Sequence, residues 1–439
     1  MGASAFRISF LSWLNRMVTL QPATVTVPDL RINAERMRAD FETLSQIGET
    51  PEGGVQRLAL SSEDLLARAW FADRIEEAGL ILHDDDAGNL SGILASKNPT
   101  AKTLLVGSHL DTVPNGGRYD GAIGVLAALE CARTIREAGI ELPVHLEVID
   151  FTDDEGCWRS LFGVRALAGM LTPEDINDAR NDNGPFRAAL VRAGIEPRNV
   201  FRAGRDPQTL MGYLELHIEQ SERLERSGTT IGVVTGIVGR SNYRITFHGQ
   251  AAHSGSTEMS RRRDALAGAA LFITRAHELT RERFAEGIFN CGNVEVEPGA
   301  FNVVPSLARA KIQLRHVNTR LLREMEAAMF ELAEACAVAN SLTIEIEHMG
   351  GTEAADMCPE VIDLIETTCT RLGLSHQRLI SYSGHAAQIT SNLIPSGMIF
   401  IPSVDGISHN PREFSRWEDV VSGAQVLLHT ILAWAQRAG

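Results

Sequence analysis

Three absences narrow what this chain can be. No uninterrupted apolar run reaches the ~20 residues of a membrane span, so no membrane partner is expected. No surplus of positive charge exists: 41 Lys and Arg face 56 Asp and Glu, for a formal net charge of -15. That balance argues against nucleic acid or an anionic membrane surface as a partner. No CxxC pair occurs either. Cys131, Cys157, Cys291, Cys336, Cys358 and Cys369 are scattered along the chain. They read as free thiols of a reducing, cytoplasmic compartment, not as a disulfide framework. Internal repeats and low-complexity segments are also missing.

What is present suits a large globular protein. Hydrophobic residues make up 44% of the 439 positions, enough for sizeable cores. The length suggests roughly two to three domains. Residues 1–28 stand apart: Met1 to Met17 has arginines, serines and aromatics but no acid. Such a stretch fits a transit peptide or a start placed too far upstream, and it is set aside as an N-terminal extension.

From Arg31 the pattern is orderly. Helical spacing covers 33–47, and Ser61-Ser62-Glu63-Asp64 caps a second helix running to about Gly79. Strands are expected at 80–83 and 90–94, a fully apolar one at 103–107 and another at 144–151, with a helix over 122–138 between the last two. Strands alternating with helices predict an α/β domain with a mixed, mostly parallel central sheet. From Ile231 the texture changes. Strands are expected at 243–248, 292–296, 308–314 and 342–347, and helices at 262–279 and 321–339, which makes a self-contained α+β unit. Helix, strand and helix then return at 358–372, 398–402 and 417–436. The expected division is therefore a domain of 29–236 and 351–439, with 237–350 inserted into it.

The chemistry concentrates just past strand ends, where open α/β sheets place their sites. His109, Asp111 and Asp120 share one short stretch, Ser108-His-Leu-Asp-Thr-Val-Pro-Asn-Gly-Gly-Arg-Tyr-Asp-Gly121. Asp154-Glu155-Gly156 ends the next apolar strand. His217 lies in Glu-Leu-His-Ile-Glu-Gln and His409 in Ser-His-Asn-Pro. Imidazole and carboxylate are the ligands of hydrolytic zinc sites. A bridged metal pair needs about this many, with one carboxylate left as a base. Asp111 can hold the far nitrogen of His109. Asp120, with two oxygens, can bridge cations or simply cap a helix. Asp154 and Glu155 read as one base and one ligand, or as solvated loop acids. Cys157, beside this pair, reads as a small packing residue.

The chain resembles the amidase, hydantoinase and carbamoylase family of dinuclear metal hydrolases. The likeness runs from about Arg31 to the C-terminus. It rests on Gly107-Ser-His-Leu-Asp-Thr-Val113, Gly116-Gly-Arg-Tyr-Asp-Gly121, Glu215-Leu-His-Ile-Glu-Gln220, Ala251-Ala-His-Ser-Gly255, Asn302-Val-Val-Pro305 and Gly406-Ile-Ser-His-Asn-Pro411. The family contains N-carbamoyl-L-amino acid hydrolases, β-ureidopropionases and allantoate amidohydrolases. The resemblance implies a metallopeptidase-like catalytic domain with an inserted α+β lid that also forms a homodimer. It implies two divalent metal ions, Zn2+ or Mn2+, and a small carbamoyl or ureido acid as substrate. His109 and His217 would hold one metal, Glu155 and His409 the other, and Asp120 would bridge. Asp111 would orient His109, and Asp154 matches the general base. His253 matches a lid histidine that reaches the substrate, typically across the dimer. Gln220, Asn302, Arg315 and Gly384 match substrate contacts, with Asn302 and Arg315 on the substrate carboxylate.

Four positions depart from the family pattern. Asp154 replaces a glutamate. Ser221-Glu222 replaces Gly-Pro. Gln313 replaces an aspartate two before Arg315. Gly384-His385-Ala386-Ala387 replaces Gly-His-Asp-Ala. None removes a metal ligand. The shortened base leaves a rival reading open, a metal-stabilised binding protein without turnover.

Overall fold

The computed structural model describes residues 29–177 and 184–438; the extension 1–28 lies outside the described residues. A nine-stranded mixed sheet organises the larger part of the chain. Its centre is the run His145–Asp150, Thr103–Ser108, Leu210–Ile218 and Ser396–Ile401, each parallel to the next. Antiparallel strands extend it on both sides, Leu90–Leu94 and Ile81–Asp84 on one and Ile231–Ile237 on the other, where Ala355–Asp356 and the parallel strand His376–Ser381 complete the sheet. The strands Thr103–Ser108 and Ser396–Ile401 are buried at every position. Helices cover both faces of such a sheet, so its strands read as apolar runs without alternation.

Ala122–Glu137 and Trp417–Ala435 are buried along most of their length and pack on one another. Each fully buried Leu, Ile or Val here contributes roughly 1.5–3 kcal/mol relative to exposure. Ser61 caps Ser62–Glu77: its side chain accepts the Asp64 amide, and Asp64 in return accepts the Leu60 amide at 2.8 Å. Two helix-start amides are thereby satisfied, the local reason the helix begins there.

The segment 239–352 has its own four-stranded antiparallel sheet, ordered Thr343–Thr352, Gly239–His248, Leu307–His316, Ile288–Glu297. Helices Ala265–Arg283 and Thr319–Ala339 pack on one face around Phe247, Phe272, Met325 and Met329. The opposite face carries ion pairs such as Arg244–Glu347 at 2.8 Å and Lys311–Glu295 at 2.9 Å. One wet and one dry face explain the polar–apolar alternation of these strands. The last of them extends to Thr352, through the Gly350-Gly351 pair at which the sequence suggests the unit ends.

Short helices Phe162–Leu167, Pro173–Asn177 and Gly184–Arg192 were not expected from the sequence. Phe162, Phe186, Leu190 and Val200 bury a small cluster of their own beside Leu60 and Ala87.

Candidate metal centre

Four strand ends bring the motif residues together. His109 follows Thr103–Ser108 directly, Asp154 and Glu155 follow His145–Asp150, His217 is the penultimate residue of Leu210–Ile218, and His409 lies beyond Ser396–Ile401. Asp120 precedes Gly121 and the helix Ala122–Glu137. It makes no side-chain cap of that helix, so the capping alternative for this residue is not realised.

Asp120 sits at the middle of the cluster. Its Oδ1 lies 2.9 Å from Nε2 of His217 and 3.8 Å from Nε2 of His109. Its Oδ2 lies 3.3 Å from Nε2 of His409, which is 3.5 Å from Oε1 of Glu155. Two donor sets result, His109–Asp120–His217 and Asp120–Glu155–His409, each with its donor atoms within 4.8 Å of one another. The ring nitrogens are prepared for this. Nδ1 of His109 lies 2.9 Å from the carbonyl of Asp111, and Nδ1 of His217 lies 2.9 Å from the carbonyl of Ile218. With Nδ1–H donating to a carbonyl, Nε2 is the nitrogen that faces the cluster.

Asp111 acts differently from the expected pairing. Its carboxylate is 3.7 Å from the His109 ring and instead accepts the amides of Asp154 at 3.2 Å and Glu155 at 3.1 Å. The carboxylate thus fixes the neighbouring acid loop, and the main-chain carbonyl faces the imidazole.

Burial pushes the Asp154 carboxyl well above the usual carboxylate range, opposed by His109 and reinforced by Glu215, Asp111 and Glu155. Burial also raises Glu155 to about 7, with Asp120 adding to it. For His109, burial acts downward, but Asp154, Asp111, Glu155 and Asp120 outweigh it and raise the pKa to about 10. His409, bonded to Asp120, is raised to about 9. The donor set fits two divalent cations. Three imidazoles and three carboxylates converge, and Oδ1 of Asp154 and Oε1 of Gln220 are buried without a hydrogen-bond partner. Unsatisfied buried acceptors are uncommon, and a cation or a water beside one removes the cost.

Further residues support the centre, and two of them, Glu413 and Arg57, carry no sequence motif. Glu413 accepts the amides of Tyr119 and Asp120 through Oε1. Gly117 makes room for it, since a Cβ there would lie 2.0 Å from that oxygen. Arg57, fully buried, donates to the carbonyls of Leu110, Leu44 and Ile47, and so ties the His109 loop to the first helix. Burial lowers its pKa to about 10, which leaves it charged at neutral pH. Glu215 accepts from Ser108 and from the amide of Ala387, beneath His217. His385 packs 4.5 Å from the His217 ring and pairs with Ser381 at 2.9 Å, a structural role. Gln220 and His409 hold left-handed backbones with φ of 56° and 54°. Such strain in residues other than glycine gathers at functional sites.

The cluster lines one wall of a cavity of about 360 Å³. Gln220 lines it too, with Nε2 2.7 Å from Asp120. Arg315, Arg240, Ser383 and Gly384 also line it, with Val113 and Leu161 among the other lining residues. The guanidinium of Arg315 donates to Gln313 at 2.9 Å and to the carbonyl of Tyr382. His253 and Asn302 are brought together elsewhere. His253 belongs to a two-stranded ladder in the inserted unit, paired with Val303, and Asn302 directly precedes that partner strand; both are exposed and outside this cavity.

A sequence profile of peptidase family M20/M25/M40 matches residues 105–433. The chain belongs to this family. Within the M20 family it groups with the amidases of the hydantoinase/carbamoylase type. An N-carbamoyl-L-amino acid amidohydrolase of Geobacillus stearothermophilus is 38% identical over 409 residues, 92% of this chain and 99% of that one. An allantoate amidohydrolase of Escherichia coli is 32% identical, covering 89% and 96%. A hydantoinase/carbamoylase-family amidase from Burkholderia multivorans superposes with a TM-score of 0.84 at 33% identity, covering 93% and 99%. As an M20 protein the chain is a hydrolase, with an α/β metallopeptidase-like fold. No helix among the described residues is long and apolar enough to cross a membrane.

Proposed function

We propose that this M20 hydrolase is a dinuclear-metal amidohydrolase that cleaves the C–N bond of N-carbamoyl-L-amino acids to amino acid, carbon dioxide and ammonia. The observation that carries this reading is Asp120, whose two oxygens face two separate donor sets in a cavity with Arg315 on its other wall. Relatives named N-carbamoyl-L-amino acid amidohydrolase support the substrate class. Those named allantoate amidohydrolase keep a ureido acid such as allantoate as the second reading, with a β-ureidopropionase activity beside it.

In this reading His109 and His217 would hold one cation and Glu155 and His409 the other, with Asp120 shared between the two donor sets. Zinc and manganese each accept such a mixed N/O donor set. When bound, the cations acidify water and polarise the scissile carbonyl. Asp154 then accepts the proton of the attacking water at its free Oδ1 and passes it to the departing nitrogen. Gln220 and Gly384 position the substrate against this centre. Arg315 binds the substrate carboxylate, a task for a planar guanidinium more than for an ammonium.

His253 and Asn302 reach the substrate from the partner subunit in a lid-mediated homodimer. Nδ1 of His253 accepts the amides of Gly255 and Ser256 at 3.1 and 3.2 Å, so Nε2 carries the proton and is free to donate. The six unpaired cysteines go with a reducing, cytoplasmic setting. A chelator is expected to abolish ammonia release from a panel of carbamoyl amino acids, and zinc or manganese to restore it. Release that continues in the chelator-treated, metal-free protein would defeat the proposal.

A further inference from the structure

Arg240 has no counterpart in the sequence motifs, yet it lines the same cavity as the metal cluster. It is the second residue of the strand Gly239–His248 and pairs in register with Arg315 on Leu307–His316. Residues opposed in an antiparallel pair project to the same face, so the two guanidinium-bearing side chains rise side by side. Like charges in that position repel, and a protein tolerates them where an anion joins them.

Neither guanidinium has a counter-ion of its own among the described residues. The acceptors of Arg315 are an amide oxygen of Gln313 and a backbone carbonyl, both neutral. Arg240 is less committed still. Its Nε is buried without a hydrogen-bond partner, and no hydrogen bond or ion pair of its side chain occurs among the described residues. Burial lowers the pKa of both, and the proximity of Arg240 lowers that of Arg315 further. Two unneutralised guanidiniums in one partly desolvated cavity therefore call for two negative charges. The lining supports this. Val113 and Leu161 are its only aliphatic side chains larger than alanine among the described residues, which leaves little surface for a bulky apolar substituent.

Building on the amidohydrolase reading, we infer that the preferred substrate is a dicarboxylic carbamoyl or ureido acid, with one carboxylate on Arg315 and the second on the unpaired guanidinium of Arg240. Arg315 has Nε and Nη1 engaged in one hydrogen bond each, which leaves Nη2 wholly free for a carboxylate. The Nε of Arg240 is enclosed, but both of its terminal nitrogens are unpartnered, and such a pair takes a carboxylate by two parallel bonds. A monocarboxylic substrate would leave these nitrogens unpaired in the closed site.

The test compares N-carbamoyl-L-aspartate and N-carbamoyl-L-glutamate with N-carbamoyl-L-alanine and N-carbamoyl-L-methionine, using the metal-loaded protein. The expected kcat/KM for a diacid exceeds that for the monoacids by about 10-fold or more, chiefly through KM. Arg240→Gln is expected to lower the diacid-to-monoacid ratio by about 10- to 100-fold at unchanged metal content, and Arg240→Lys to lower it less. Equal wild-type kcat/KM for diacids and monoacids, or equal losses on both in Arg240→Gln, would overturn the inference and leave the amidohydrolase reading standing. A calorimetric titration of succinate and butyrate separates the two readings. Tighter binding of succinate that Arg240→Gln removes supports the diacid site even where no carbamoyl acid is turned over. Indistinguishable binding of succinate and butyrate by the wild type overturns it.

Discussion

Oε1 of Glu413 accepts the backbone amide of Asp120 at 3.0 Å, across 293 positions of sequence. The same oxygen accepts the amide of Tyr119 at 2.9 Å. The loop that carries the shared ligand is thus fixed from the C-terminal end of the chain. Ser408, next to His409, lies 2.9 Å from the other oxygen of Glu413 and 3.0 Å from Asp120. Glu413→Ala is expected to weaken metal binding about 10- to 100-fold, the usual effect of removing a group that orients a ligand. Glu413→Gln keeps one carbonyl oxygen for the two amides and should lose less. Competition with a coloured chelator measures both. Wild-type affinity in Glu413→Ala would remove Glu413 from the account.

His217→Ala and His409→Ala should each lose one metal equivalent per chain, since they belong to different donor sets. Elemental analysis of the purified variants checks this, and full occupancy in both would contradict the assignment. The same site predicts a pH dependence. Metal-free His109 and His409 stay protonated up to about 10 and about 9. Cations require the neutral rings, so binding at neutral pH must release protons. Apparent affinity should rise from pH 7 to 9, and calorimetry in buffers of different ionisation enthalpy should register the released protons.

Asp154 has one methylene fewer than the glutamate expected at the base position. Its Oδ2 nevertheless lies 4.0 Å from His109, and its loop is held by Asp111 through two amides. We expect that this backbone placement compensates for the shorter side chain. Asp154→Asn should then abolish turnover, and Asp154→Glu should crowd the site and lower it. A misplacement of about 1 Å can cost on the order of 100-fold in rate. A faster Asp154→Glu enzyme would show that compensation is absent. Wild-type turnover in Asp154→Asn would exclude Asp154 as the base.

His253 is exposed and lies outside the cavity of its own chain. Its replacement by alanine should reduce kcat strongly at unchanged metal content. Heterodimers of His253→Ala and Asp120→Ala subunits should regain part of the activity, because one of their two sites then has an intact centre and an intact lid histidine. Verified heterodimers without any recovery would contradict a role across the dimer.

The parts of this molecule that were legible in the sequence are those governed by local pattern. Buried parallel strands, the capped helix after Ser61 and the alternating strands of the inserted unit each obey a short-range rule. The metal-ligand candidates were legible because they stand in polar motifs at strand ends. Glu413 and Arg57 were not, because each acts on backbone groups far away in sequence and has no motif around it. Arg240 was missed for a related reason: only the register of two strands of the 239–352 unit sets it beside Arg315. The helices between 162 and 192 are too short to display a period, and their packing depends on Leu60 and Ala87 from elsewhere in the chain. For Asp111 the sequence suggested the right neighbourhood but the wrong atom, because carbonyl and carboxylate of one residue cannot be told apart by spacing.

The most direct test of the central claim is ammonia release from N-carbamoyl-L-amino acids while metal-free protein is titrated with zinc or manganese. The account predicts no release without metal and a maximum at two equivalents per chain, the stoichiometry implied by the two donor sets that share Asp120. Two equivalents bound with no ammonia from any carbamoyl or ureido acid would contradict it and favour a metal-stabilised binding protein.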